Sequence, residues 1–139
     1  MQYWLFKSEP NTWSWDDQVK KGDEGEGWDG VRNYQASNNM KAMRIGDLGF
    51  FYHSVHEKQI VGIVEVSAEY HPDHTDASGR FGMVDVKAVK PVTTNVTLAD
   101  IKANPKLEDL ALIRQSRLSV VPVSKDHWDE IMRMAETTL

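Results

Sequence analysis

The sequence predicts a mixed α+β domain, a small curved sheet or partly closed β-barrel of about five strands flanked by short helices. Apolar and polar residues alternate in strand-length runs through the middle of the chain, between Leu48 and Val89. Helix-compatible stripes led by capping residues fall at the ends and in the connections. The regular strand-helix-strand alternation of a doubly wound sheet is missing. At 139 residues the chain can bury one core without a metal or disulfide staple, so residues 1–139 are expected to form one domain.

Taken in order, Tyr3-Trp4-Leu5-Phe6 predicts a first strand, ended at Ser8-Glu9-Pro10 because proline lacks the donor that a sheet interior requires. Ser14 with Asp16 and Asp17 predicts a brief helix stopping near Gly22, since a short polar cap and early acidic groups suit the unpaired amides there. Asp23 to Gly30 predicts a loop that carries Trp28. The stretch from Arg32 predicts a polar helix with Ala36, Met40 and Met43 on its inner stripe. After a turn at Gly46-Asp47, Leu48–Ser54 and Gln59–Tyr70 predict an antiparallel pair. Pro72 to Gly79 is a polar loop, and Phe81–Val89 a further strand whose end Pro91 limits. Thr97 caps a short helix cut before Pro105, and Leu107 to Arg114 has the spacing of another. Leu118–Val123 predicts the last strand, and Ser124 begins a final helix with Trp128, Ile131, Met132 and Ala135 inward.

Composition removes several chemistries. There is no cysteine, hence no disulfide, thiolate metal site or cysteine nucleophile. With 21 acidic against 16 basic residues the net charge is -5, which argues against gripping long duplexes by phosphate neutralisation. No apolar run approaches the ~18 residues that span a bilayer and no secretory signal opens the chain, so the expected location is the cytoplasm, away from membranes. His71, Asp73, His74 and Asp76 superficially resemble a metal cluster, but their spacing better suits a solvent-facing loop. No Gly-x-Ser-x-Gly elbow accompanies Ser8, Ser54 or Ser119, and neighbouring His53 and Ser54 point to opposite faces of a strand. The glycines around Trp28 sit among acidic groups that would repel phosphate. No cofactor, metal or catalytic residue is expected.

The strongest chemical candidate is a set of aromatic surfaces beside short amides and hydroxyls: Trp28, Tyr34, Tyr52 and His53 with Ser8, Asn33, Gln35, Asn38 and Asn39. A base held out of its stack needs planar walls and directional groups for its edge. The same residues also suit ordinary core aromatics and helix caps, and composition leaves both readings open.

Particular motifs go further. Lys7-Ser8-Glu9-Pro10, Trp28 through Asn39, Gly46-Asp47, Phe51-Tyr52-His53-Ser54, Ile60 to Ile63, Tyr70-His71-Pro72-Asp73, Arg117 to Val120 and Pro122-Val123 together resemble the EVE domain family, in family order and over nearly the whole chain. The resemblance implies a fold like PUA and YTH domains, a small curved barrel with helices around it. It implies a pocket for a modified nucleobase in DNA or RNA and no catalytic machinery. Carried onto this chain, that pocket falls around Ser8, Glu9, Trp28, Arg32, Asn33, Tyr34, Gln35, Asn38, Asn39, Tyr52, His53 and Ser54, with Arg117 and Ser119 bordering it. Ser37 stands where many relatives have arginine, which removes a possible phosphate contact.

The expected partner is therefore a single-stranded or flipped-out base that stacks on Trp28 or Tyr52 and is read by Ser8 and Asn33 together with Asn39 or His53, with Arg32 or Arg117 near the sugar or phosphate. A small-molecule sensor or protein-interaction module using the same cleft is the alternative. An enzyme acting on nucleic acid would need Glu9 and His53 close together and facing an open site.

Overall fold

Trp4, Leu5 and Phe6 are consecutive and all buried, so the first strand, β1 (Tyr3–Ser8), must be covered on both faces. In the computed structural model, which describes residues 1–139, it lies between β3 (Leu48–His53), parallel to it, and β6 (Val120–Val123), antiparallel. β4 (Gln59–Pro72) and β5 (Gly82–Thr97) extend the sheet from β3 as an antiparallel meander. A two-residue strand, β2 (Glu26–Gly27), completes the order β2-β5-β4-β3-β1-β6.

The sheet is open, and the expected barrel does not close. Closure requires a continuous ladder between the outer strands. Here those strands are β2, only two residues long, and β6, four residues long with Pro122 lacking a donor. The bend comes instead from register shifts along β4 and β5, where an irregular ladder kinks the pair. β2 arises inside the stretch expected to be a loop, which makes the strands six rather than about five.

β5 also runs past Pro91, where the sequence predicts an end. Pro91 lies opposite Gly62, beside a register shift, on a stretch with β4 as its only neighbour. A ladder tolerates a missing donor in such a place.

Alternation along β1 and β3 sorts the core into two faces. Phe6 and Phe51 sit side by side and take Trp28 edge-on, with ring centroids 5.1 and 5.6 Å away. Trp15 meets Phe51 at 5.4 Å and lies over Gly62 of β4. On the other face Phe50 and Tyr3 stack against Trp128 at 4.0 and 4.5 Å.

The first helix and two later ones begin where their caps predict. α1 (Trp15–Lys20) carries a reciprocal capping box between Ser14 and Asp17, and α3 (Leu98–Ala103) one between Thr97 and Asp100. Asn33 caps α2 (Tyr34–Lys41), which buries Ala36 and Met40, with Met43 buried just beyond its end. The single helix expected from Leu107 to Arg114 is instead a 3₁₀ turn, Pro105–Leu107, and a short α4 (Ala111–Arg114). Between them Leu110 takes an extended conformation and is fully buried, so burial of that side chain wins over helical continuity. α5 (Lys125–Met134) buries Trp128 and Ile131, with Ala135 following. No helix is long and apolar enough to cross a membrane.

A Cβ added at Gly62 would stand 2.5 Å from the Trp15 ring. Gly62→Ala is therefore expected to destabilise the domain by about 2 kcal/mol through overpacking. Urea unfolding would show this as a lower midpoint at unchanged slope. A loss below about 0.5 kcal/mol would mean that Trp15 is free to move away.

Candidate nucleic-acid interface

The segment after β2 is held from two sides. Trp28 N–H donates to Val84 O at 2.8 Å, fastening it to β5. Two residues on, Gly30 N–H donates to Asp73 Oδ2 at 2.9 Å, and the Arg32 guanidinium reaches the same oxygen at 3.1 Å. The second oxygen of Asp73 accepts from the Thr75 amide at 2.7 Å and hydroxyl at 2.6 Å. The Asp73 side chain has no exposed surface. Burial alone would raise its pKa, but the bonds from Thr75, Gly30 and Arg32 outweigh it and hold the carboxyl at about 2.

Trp13 is positioned through a longer relay. Thr12 and Trp13 amides both donate to Glu9 O at 2.9 Å, turning the chain after Pro10, and the Ser8 hydroxyl donates to Trp13 O. The Trp13 indole N–H donates to Gln18 Oε1 at 2.9 Å, while Gln18, fully buried, donates to Val86 O of β5 at 3.0 Å. The ring is thus fixed to the sheet through an amide rather than by apolar burial.

Between these segments lies a cleft of about 630 Å³. Trp13 and Trp28 are its two hydrophobic lining residues. Lys7, Ser8, Glu9, Thr12, Glu26, Gly27, Asp29 and His74 form the remainder. Trp28 is only 8% exposed, and its indole N–H makes no hydrogen bond within the protein, the nitrogen itself staying open to solvent. Three carboxylates face one ammonium across the opening, and the Lys7 ammonium is drawn to Ser116 O at 2.8 Å. Burial lowers the Lys7 pKa. Such a cleft suits a flat, largely uncharged ligand better than a phosphate.

Of the residues singled out in the sequence, the structure brings Ser8, Glu9 and Trp28 together here and sends the others elsewhere. Tyr52 is 3% exposed and follows Phe51 in β3, so strand alternation turns it to the opposite face from Trp28. Burial pushes its hydroxyl up to about 12. His53 is buried with both ring nitrogens engaged. Its Nε2 accepts from the Trp15 amide and its Nδ1 contacts Glu57 Oε1, each at 3.0 Å. This His is a brace for α1, and the Glu9-His53 pairing that an enzyme would have needed is not formed. Ser54 N–H donates to Ser8 O, and Ser119 O accepts from Lys7 N–H, both at 2.9 Å, so these two act through their backbones.

Asn33 lines a separate shallow groove of about 370 Å³ with Gln35 and Arg117, and its side chain caps α2 through Ala36 N–H. Asn39 donates to Val120 O at 2.9 Å, tying α2 to β6, whereas Asn38 is exposed on the same helix. Tyr34 is 61% exposed, with its ring 4.9 Å from that of Phe81. Arg32 is committed to Asp73 and Thr75 and is not placed in the cleft. Ser37 is buried and shares a 2.8 Å hydrogen bond with the Tyr70 hydroxyl. His71 pairs with Asp85 at 2.8 Å, and Asp76 with Ser78 and the Phe81 amide, so these loop groups do not converge as metal ligands.

Lys7, Thr12, Trp13, Glu26, Gly27, Asp29 and His74 were not expected in the site. Trp13 carried a signal: like Trp28, it is a large aromatic in a connection, here between Pro10 and the cap Ser14. The others are short or charged residues of loops and strand ends whose place depends on tertiary contacts.

The EVE domain family model matches residues 2–134 of this chain. Thymocyte nuclear protein 1 of Gallus gallus is 33% identical over 96% of this chain and 69% of its own length. A crystal structure of an Agrobacterium tumefaciens protein superposes with a TM-score of 0.94 at 54% identity, over 97% of this chain and 93% of that one. A crystal structure of human THYN1 in complex with 5-methylcytosine-containing DNA superposes with a TM-score of 0.92 at 30% identity, over the whole of both chains. The YTH domain of Zygosaccharomyces rouxii MRB1, at 15% identity and a TM-score of 0.59, shares the fold.

Because the folded-state pKa of Asp73 lies below its ordinary 3.8, its contribution to stability is complete above about pH 4 and is lost as the pH falls toward 2. Asp73→Asn should cost about 2 kcal/mol at pH 7 and unfold with a flatter pH dependence between about pH 4 and 2. Glu130, held at about 2 chiefly by Arg133 and then Asn104, titrates in the same window in both proteins, so the difference between them isolates Asp73. Parallel denaturation curves at pH 5, 4, 3 and 2 are the measurement, and equal slopes would refute the assignment.

Proposed function

This chain belongs to the EVE domain family, and on that premise we propose that it is a non-catalytic binding module that takes a modified nucleobase from DNA or RNA into the Trp13–Trp28 cleft. One observation carries the proposal: the cleft is of small-molecule size, and the two hydrophobic side chains that line it are indoles, each tied separately to β5. The resemblance to human THYN1, whose structure holds 5-methylcytosine-containing DNA, supports it. A base cannot enter while stacked in a duplex, so it arrives on a single strand or flipped out.

Stacking supplies the affinity, since every base has a π-face to set against an indole. The acidic rim keeps flanking phosphates out of the cleft and directs the strand along the outside. The groove of Asn33, Gln35 and Arg117 is the place for one of those phosphates. Arg117 forms no ion pair within the protein, unlike Arg32 and Arg114, and Lys7 bonds to Ser116 O between cleft and groove. Phosphate contact therefore falls to Arg117.

A free metabolite in the same cleft is the second reading, favoured by the scarcity of basic groups on the rim. The two separate in a titration of single-stranded 12-mers carrying a central 5-methylcytosine, 5-hydroxymethylcytosine, N6-methyladenine or unmodified base, alongside the free nucleosides. At least one modified strand should bind selectively. Trp13→Ala, which removes a partly exposed ring, should weaken that binding by about 10- to 100-fold. Millimolar, indiscriminate binding insensitive to Trp13→Ala would reject the base-binding role, and nucleosides bound as tightly as strands would favour the metabolite. Arg117→Ala should weaken all strands alike and lower the salt slope by about one. An unchanged slope would remove Arg117 from the interface.

A further inference from the structure

We infer that the unpaired carboxylates of Glu9 and Asp29 read an exocyclic amino group, so that the cleft accepts amino-bearing bases of the cytosine and adenine type and turns away thymine and uracil. This rests on the base-binding reading and adds to it the edge that is recognised.

The donors around the cleft are mostly engaged within the protein: the Ser8 hydroxyl to Trp13 O, the Trp13 indole to Gln18, and the Lys7 ammonium toward Ser116 O. Glu26 is engaged as well, 3.6 Å from Lys21 and accepting from the Gly27 amide. Glu9 and Asp29 are exposed, line the cleft, and have no hydrogen-bond or ion-pair partner for their carboxylates. The Thr12 hydroxyl and His74 ring can serve either way. The opening therefore has a surplus of acceptors, and a ligand must bring the donors.

A second observation fixes the other half of the edge. The Trp28 indole N–H is unpartnered, although the residue is more than nine-tenths buried against Phe6 and Phe51, and it belongs to the lining of this cleft. A Trp N–H only donates. A base that offers one acceptor to Trp28 and an amino group to the carboxylates satisfies both, as cytosine does with its O2 carbonyl oxygen or N3 ring nitrogen and its N4 amine, the group that Asp and Glu accept from.

The amino group matters because a 5-methyl substituent cannot discriminate. Thymine and 5-methylcytosine carry the same methyl and differ along the pairing edge, where thymine has a carbonyl in place of the amine at position 4 and a hydrogen on N3. A carbonyl facing a carboxylate sets acceptor against acceptor, and one mismatched contact of this kind changes affinity by roughly 10- to 100-fold.

The test is fluorescence anisotropy of labelled single-stranded 12-mers that differ only in the central base. 5-Methylcytosine is compared with thymine, cytosine with uracil, and adenine with hypoxanthine. Each is titrated into the intact chain and into Glu9→Gln, Asp29→Asn and the double variant, whose sites are exposed and compatible with folding. The amino member of the preferred pair should bind at least about tenfold tighter. In the double variant that ratio should fall toward one, because an amide can donate to a carbonyl as well as accept. Thymine and 5-methylcytosine bound equally, both above cytosine, would overturn the inference while leaving the base cleft standing. A ratio that survives in the double variant would overturn the assignment to Glu9 and Asp29. Absence of binding by every strand would defeat this inference and the base-binding reading together.

Discussion

Asp73 has to be ionised to hold what it holds. Its carboxylate, shut off from water, accepts from two segments far apart in the chain: the turn at Gly30 with Arg32, and its own loop at Thr75. A neutral side chain there would lose the charge that makes those bonds strong and that balances the guanidinium. The Trp28 segment, pinned also at Val84, thereby becomes a fixed wall instead of a glycine-rich loop. Everything on that side of the sheet follows, including the edge-on packing of Trp28 on Phe6 and Phe51 and the opening between Trp28 and Trp13.

The Trp13 side of the cleft uses a different device. Trp13 is only partly buried, so apolar packing alone cannot set its orientation. Gln18 does so, bridging the indole to a β5 carbonyl, and because Gln18 is fully buried its amide has few alternatives to these partners. Both walls therefore refer to the same long strand, β5, at Val84 and Val86. A cleft whose two sides share one rigid element keeps its width.

Local rules were enough for much of the architecture. Ser14, Asn33, Thr97 and Ser124 each cap the helix that follows them, because a cap is a contact within three residues and needs no tertiary information. The inner stripes of α2 and α5 were legible from helical spacing, and the pairing of β3 with β4 from two apolar runs joined by a short connection. β2 was hidden because two residues carry no periodicity and pair only through the backbone. Pro91 misled because the rule that proline ends a strand assumes neighbours on both sides, and β5 has one there. The site was half legible. Tyr52 and His53 are sequence neighbours and cannot share one face of β3, a constraint that period-two alternation states in advance. That His53 braces α1, or that Arg32 belongs to Asp73, depends on partners 38 and 41 residues away.

By itself, the sequence determined the family, the mixed α+β class, the caps, most strands and the absence of thiol chemistry, because each is written in neighbouring residues, short motifs or composition. Only the tertiary structure decided that the sheet stays open and that Trp13 rather than Tyr52 lines a cleft with Trp28. It also decided which polar groups remain free to meet a ligand. Those are questions of which distant groups have already found one another, and a hydrogen bond between residues tens of positions apart leaves no periodic trace along the chain.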